Sequence, residues 1–315
     1  GIVGGITNKN ITPLLLNGLK RLEYRGYDSS GLIILSQDNK LVRERAAGKV
    51  CNLEKNLKLK KLSLKGNVGL AHTRWATHGK PSVNNAHPHI SKNSISVVHN
   101  GIIENYIDLK DLQMKQGYEF TSETDTEVIA HAIESAIKPS DSLLKATQKA
   151  IKTLNGSYGI GVLSSKYPDQ IIAARKGSPL VIGIGDNGNY VASDQMALLS
   201  VTDKFIFLEE GDTAEIKLDK ITIYDLNDNL VERPIKTSNL KVGQVDLEDY
   251  DHFMQKEIFE QPQAIRDTLE SRITKDAVLI SALGQNAEKI FQKIRQVQIV
   301  ACGTSYHAGL VAKYW

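Results

Sequence analysis

Four short stretches of this 315-residue chain carry side chains capable of chemistry. In His72-Thr73-Arg74-Trp75-Ala76-Thr77-His78-Gly79 an arginine, a hydroxyl and a histidine follow an apolar run. A guanidinium grips a carboxylate as a fork and a hydroxyl adds a donor, so Arg74, Thr77 and His78 suit a small carboxylate. A surface loop with one ion pair, and Trp75 packing beside Arg74, account for the same residues. The Asn-Gly pair in Val97-Val98-His99-Asn100-Gly101 is first of all a turn signal. It also supplies a side-chain amide and a backbone N–H, the donor pair that cradles an oxyanion. The residues after Gly101 look helical rather than like a returning strand. Ser122-Glu123-Thr124-Asp125-Thr126-Glu127 puts Asp125 in the first turn of a helix starting at Thr124. There it either complements the helix dipole or acts as a fixed anion for an ammonium group. Cys302-Gly303-Thr304-Ser305 falls between an apolar run and a helix start, where backbone N–H groups favour phosphate, although the spacing is that of neither a P-loop nor a dinucleotide fingerprint. Cys302 reads as a small turn residue or a thiol.

The elements that must position these residues emerge from pattern. Gly1 to Thr7 is an apolar, glycine-punctuated strand, and such a strand holds its end in one place. In N-terminal nucleophile hydrolases residue one attacks and its own amine is the base, but Gly1 has no nucleophile. Thr12-Pro13 reads as an N-cap with proline in the first turn, followed by a Leu14, Leu15, Leu16, Leu19, Leu22 face. Leu32–Ser36 and Leu41–Arg45 form a hairpin. Strands are expected at Val68–His72 and Ile95–His99, and helices at Asn105–Gln116, from Thr124 with Glu127 closing a capping box, and at Ser142–Lys152. Seven short strands are expected between Gly156 and Tyr224. Two strand-rich blocks separated by helices predict an α+β layered domain with sheets face to face and helices outside. Arg233–Asp251 reads as a linker. Helices at His252–Gln261, Gln263–Ile273 and Ala287–Arg295, broken at Pro262, lead to a buried strand at Val297–Ala301 and a last helix. With no further strand to pair, this second domain is expected to be a fragment.

Composition bounds the function. With 41% hydrophobic and 24% charged residues the chain is of ordinary globular type. A net charge of +3 is too mild to imply nucleic acid. The lysine cluster from Lys55 to Lys65 reads as a solvated helix and loop. Cys51 and Cys302 are far apart in sequence and lack metal-ligand spacing, which argues for a reducing compartment and against a disulfide framework, and no His, Cys or Asp cluster has the spacing of a metal site. No apolar run reaches the ~18 residues of a membrane span and no signal peptide is visible, so the cytoplasm is the expected location.

Taken together, GIVGGI, LKRLEYRGYDSSGL, AHTRWATHGKPS with NAHPH, VVHNGIIENY, SETDTEVIAH, GSPLVIG, ASDQMAL, FIFLEEGD, HFMQKEIFEQP and VACGTSYHAG, in that order, resemble the glutamine–fructose-6-phosphate aminotransferase family over the whole chain. The resemblance implies a four-layer αββα glutaminase domain (1–240), a linker (241–251) and the first part of an α/β sugar-isomerase (SIS) domain (252–315). It implies an N-terminal Cys immediately before Gly1 that attacks the glutamine carboxamide, its α-amine being the base. Ammonia would pass inside the protein to fructose 6-phosphate, giving glucosamine 6-phosphate and glutamate without a cofactor. By position, Asn100 and Gly101 would form the oxyanion hole, and Arg74, Thr77 and His78 would hold the glutamine α-carboxylate. Asp125 would hold the α-ammonium, Trp75 would gate the ammonia route, and Cys302, Gly303, Thr304 and Ser305 would begin the sugar-phosphate pocket. The full-length protein would be a homo-oligomer. A non-catalytic binder of glutamine or a sugar phosphate, and another class II glutamine amidotransferase, are the competing readings; HFMQKEIFEQP and VACGTSYHAG count against the latter.

Overall fold

The computed structural model describes the chain except residues 24–25, 61–63, 77, 240–249, 270–272, 275, 281–286 and 315. It divides into two units, Gly1–Asp246 and Leu247–Trp315.

The first unit is built on two antiparallel sheets. β1 (Ile2–Thr7), β2 (Ser29–Leu35), β3 (Leu41–Ala47), β4 (Val68–Arg74), β9 (Val181–Gly185), β10 (Gly188–Ala192), β11 (Lys204–Phe207) and β15 (Ile235–Thr237) form one, in the order β15-β11-β9-β10-β1-β4-β2-β3. β5 (His89–Ser91), β6 (Ile95–Ile103), β7 (Gly156–Ser164), β8 (Tyr167–Lys176), β12 (Thr213–Ile216), β13 (Ile221–Tyr224) and β14 (Leu230–Val231) form the other, in the order β14-β13-β12-β8-β7-β6-β5. Strand side chains alternate between faces, so each central strand feeds two cores. Ile2, Ile6, Ile33 and Leu70 of the first sheet meet Val98, Leu163, Ile171 and Ala173 of the second between the sheets. On the outer face of the first sheet, Val3, Leu32 and Ala71 pack with Leu15, Leu19 and Leu22 of α1 (Thr12–Leu22) and with Val50 and Leu53 of α2 (Val50–Leu59). On the outer face of the second, Val97, Ile160 and Val162 pack with Val128, Ile129 and Ile133 of α4 (Glu127–Ala136) and with Leu143 and Leu144 of α5 (Leu143–Ile151). Three apolar cores therefore separate four layers, αββα. Each fully buried aliphatic side chain contributes about 1.5–3 kcal/mol.

Several local expectations need correction. Thr12 is inside α1 rather than capping it, and its hydroxyl donates to the Leu64 carbonyl. β6 does not end at His99 but runs on to Ile103, paired with β7 throughout, so Asn100 and Gly101 lie within a strand and not in a turn. α4 begins at Glu127, and Thr124 makes no capping box. The Glu127 carboxylate turns back instead to the backbone N–H groups and hydroxyls of Thr121 and Ser122. α3 (Tyr106–Lys115) stops before Gly117 as expected, but Ile107, Leu112 and Met114 are exposed and Gln113 is the buried residue, donating to the Val128 carbonyl. The start of the supposed linker is folded. Arg233 clamps the fully buried Asp212 with two hydrogen bonds of 2.9 Å, and β15 pairs with β11.

The described residues of the second unit form α6 (Phe253–Leu269), α7 (Ala287–Phe291) and α8 (Gly303–Ala312). Pro262 lies inside α6 and does not break it. A proline removes one donor from the ladder and leaves the bonds on either side available. Residues 297–301, expected as a buried strand, form none, and Val300 is 92% exposed. The described residues of this unit offer one isolated bridge, Ile273 with Val278, and no sheet on which the apolar run could pair.

Candidate active site

At one end of the β1 and β4 strands the chain opens a cleft of about 250 Å3 lined by Gly1, His72, Thr73, Arg74, Trp75, His87, His99, Asn100, Gly101, Thr124, Asp125 and Thr126. Two more open grooves, of about 440 and 480 Å3, contain none of these residues. The cleft gathers three of the four chemically capable stretches.

Backbone pairing fixes its floor. Gly1 and Thr73 are bonded in both directions, Gly1 N donating to the Thr73 carbonyl at 2.6 Å and Thr73 N to the Gly1 carbonyl at 2.9 Å. Ile2 N donates to Ser193 Oγ and Ser193 N to the Ile2 carbonyl, so the start of β1 is held from both sides. Across the sandwich, the Leu70 and Val98 positions are apolar; two residues further on, on the same faces, His72 Nε2 meets Asn100 Oδ1 at 2.9 Å. Gly101 has φ +129°, and a Cβ there would stand 2.1 Å from the Ser157 carbonyl oxygen, so no larger residue fits this ladder.

Arg74 ends β4 and is buried. Its Nη2 donates to the carbonyls of His78 and of Gly79, the latter at 3.1 Å, while its buried Nη1 has no hydrogen-bond partner and stands 4.0 Å from Asp28 Oδ1. Burial lowers the guanidinium pKa, and Asp28, Asp125 and Glu123 oppose that shift. Among the described residues Nη1 thus has a carboxylate at ion-pair distance but no hydrogen-bond acceptor, an arrangement costly unless an anion completes it. Asp125 lies in the turn before α4 rather than in its first turn, and its Oδ2 accepts from Ile103 N at 2.8 Å. A cross-link joins the two loops. The Asn85 amide donates to the Lys80 carbonyl and to Glu123 Oε2, both at 2.9 Å, while Asn85 Oδ1 accepts from Glu123 N. The loop before β5 is also held from β3, where Arg45 donates to the carbonyls of Asn84 and Ala86.

Of the residues singled out in the sequence, Arg74, Trp75, Asn100, Gly101 and Asp125 share the cleft. Trp75 is 66% exposed and meets Tyr27 edge-on. His78 contributes its carbonyl to Arg74, and its ring packs edge-on against Tyr106; its side chain does not line the cleft. Thr77 lies outside the described residues. Cys302, Gly303, Thr304 and Ser305 belong to the second unit, exposed at the start of α8. Sequence reasoning misses a row of buried histidines. His72 stacks on His87 at 4.2 Å, and His87 meets His89 edge-on at 4.9 Å. His99 N donates to His87 Nδ1, and Thr126 Oγ1 lies between His87 Nε2 and His99 Nδ1. Burial is the main cause that holds His72, His87 and His89 well below the ordinary histidine pKa and that lowers His99; the neighbouring histidines add to it at His87, and Arg45, Arg43 and Arg74 add to it at His89. The alternation of β4 and β6 is the available signal, since it puts His72 and Arg74, and Val98 and Asn100, on the inner faces. Among the described residues no group of three or more His, Cys, Asp or Glu side chains could hold a metal ion, and no helix is long and apolar enough to cross a membrane.

Residues 72–200, which carry most of this cleft, match the glutamine amidotransferase domain family. These residues form a glutamine amidotransferase domain. Over all 315 residues it is 53% identical to glutamine–fructose-6-phosphate aminotransferase (isomerizing) of Pseudomonas putida and 52% identical to that of Haemophilus influenzae, covering 51% of each. The chain thus spans about half the length of the curated relatives it matches. Among solved structures, an allosteric regulatory enzyme of purine biosynthesis superposes with a TM-score of 0.62 and 26% identity over 73% of this chain and 50% of its own. The glutamine phosphoribosylpyrophosphate amidotransferase of B. subtilis, at 24% identity and the same TM-score and coverage, shares the fold of this glutamine amidotransferase domain.

Proposed function

We propose that the cleft binds and hydrolyses glutamine, and that the full-length protein delivers the ammonia to fructose 6-phosphate to form glucosamine 6-phosphate. The observation that carries this reading is the convergence on one cleft of Arg74, whose buried Nη1 has no hydrogen-bond acceptor among the described residues, an anion, Asp125, and the Asn100–Gly101 pair. An α-amino acid carries a carboxylate and an ammonium on one carbon, and Arg74 and Asp125 match them in sign. On this reading His78 and Thr77 support the carboxylate end and Trp75 stands at the exit for ammonia.

The nucleophile is the thiol of a cysteine immediately preceding Gly1, whose carbonyl carbon is bonded to the Gly1 nitrogen. That nitrogen lines the cleft and is fixed by its ladder pair with Thr73. The thiolate sulfur attacks the carboxamide carbon and the π electrons move to oxygen, where the Asn100 amide and Gly101 N–H stabilise the oxyanion. The cysteine α-amine takes the thiol proton and returns it to the departing nitrogen, releasing ammonia and leaving a thioester. Water then cleaves the thioester to glutamate and regenerates the thiol. An α-amine has an unperturbed pKa of roughly 7.7–8.0, suited to both transfers near neutral pH. Cys302, Gly303, Thr304 and Ser305, with the helix N-terminus of α8, begin the sugar-phosphate pocket of a homo-oligomeric, cytoplasmic enzyme that needs no cofactor.

The test is glutamate release from glutamine by the full-length protein with and without fructose 6-phosphate. Stimulation by the sugar together with formation of glucosamine 6-phosphate is expected. Hydrolysis indifferent to the sugar, with no amino sugar formed, would contradict the assignment, and sequencing of the mature N-terminus checks the cysteine.

A further inference from the structure

We infer that His72 is a positioning residue that turns the Asn100 carboxamide so that its NH2 group, and not its oxygen, faces the cleft. The inference rests on the glutamine-hydrolysing reading above. An asparagine can serve an oxyanion only through its nitrogen, and nothing in its own covalent structure decides which end points where. The contact with His72 Nε2 at 2.9 Å decides it once the tautomer of the ring is fixed.

Two protonation patterns satisfy that contact. In one, Nε2–H donates to Asn100 Oδ1 and Nδ1 is a bare acceptor; in the other, the amide donates to Nε2 and the proton sits on Nδ1. His72 Nδ1 is buried and has no hydrogen-bond partner among the described residues. The second pattern therefore buries an unpaired N–H, whereas the first buries an unpaired lone pair, the less costly orphan. The ring is neutral, because burial holds its pKa well below the ordinary value, so the donor pattern persists through neutral pH. The ring plane is fixed by stacking on His87, at 4.2 Å and 19°, and His87 is itself gripped by His99 N and Thr126 Oγ1. Since His72 is on β4 and Asn100 on β6, the bond also links the two sheets at the floor of the cleft.

The experiment is the kinetics of glutamate release by the full-length protein and by His72→Leu, His72→Gln, Asn100→Ala and the His72→Leu/Asn100→Ala double variant, with thermal unfolding of each. The glutamine side chain can place an N–H near the position of Nε2, whereas leucine offers packing alone. His72→Leu is expected to lower kcat by about 10- to 100-fold with KM for glutamine within about three-fold, and His72→Gln to recover most of the loss. The double variant is expected within about two-fold of Asn100→Ala, because His72 acts through Asn100. A folded His72→Leu protein with parental kcat, losses that multiply in the double variant, or a His72→Gln protein as slow as His72→Leu each overturns the inference. Should His72→Leu not fold, His72→Asn, whose shorter amide falls short of Asn100, replaces it, and its kcat must lie well below that of His72→Gln. A parent that releases no glutamate overturns the hydrolase reading and this inference together; a hydrolysing parent with the wrong variant pattern overturns this one alone.

Discussion

Asn100 and Gly101 sit in the middle of a strand paired along its length, whereas Arg74 acts where β4 runs out into a loop and Asp125 stands in a turn ahead of α4. At the first end, the backbone ladder and one cross-sheet hydrogen bond set the geometry, and a single methyl at Gly101 would collide with a carbonyl. At the second, side chains do the holding: Arg74 on two loop carbonyls, Asn85 between Lys80 and Glu123, Glu127 on Thr121 and Ser122. A sheet cannot adjust one donor without disturbing its neighbours, which suits a group that must meet charge developing in a transition state. Loops tied by side chains can close around a substrate, which suits recognition. On the proposed reading the strand end therefore governs turnover and the loop end governs binding.

The sharpest way to break that division is Asn100→Ala. Its kcat for glutamate release should fall by about 10²- to 10³-fold, roughly 2.7–4 kcal/mol, with KM nearly unchanged. Arg74→Ala should show the opposite pattern in the same assay, KM rising by about 10- to 100-fold with a smaller change in kcat. Acid should weaken the strand end, where the buried histidines lie. His72, His87 and His89 have folded pKa values well below the unfolded value, so the unfolded chain takes up protons that the native one refuses. Their contribution to stability is complete above about pH 6.5 and is lost as pH falls below it, at up to about 1.4 kcal/mol per pH unit for each histidine. Urea unfolding between pH 7.5 and 5 checks the slope, and a flat profile would contradict the burial of these rings as neutral groups. The smallest effect is expected from Asn85→Ala, which loosens the tie between the loops. KM should rise by about three- to ten-fold with kcat retained, measured beside Arg74→Ala.

The legibility of these two regions differs in the same sense. Arg74 and Asp125 stand out because charged residues beside apolar runs are conspicuous, and α4 and α5 are visible in their helical stripes. Asn100 is legible as a donor but its local sequence puts it in a turn, because Asn-Gly is a strong local turn signal and the pairing of β6 with β7, more than fifty residues away, is not a local property. Glu127 reads as closing a capping box with Thr124, since spacing cannot tell a carboxylate that bonds forward from one that reaches back to Thr121 and Ser122. Residues 297–301 suggest a strand for which the described residues supply no neighbour. His72, His87 and His99 carry no local mark at all. Their role exists only when strands from two sheets and a loop are brought together.

Binding without turnover separates the two ends most directly. Calorimetric titration of L-glutamate into the full-length Asn100→Ala and Arg74→Ala proteins isolates recognition of the α-carboxylate and α-ammonium from the oxyanion. The account predicts that Asn100→Ala binds glutamate as the parent does, while Arg74→Ala loses at least about ten-fold in affinity. Equal loss in both variants, or parental affinity in Arg74→Ala, would contradict it.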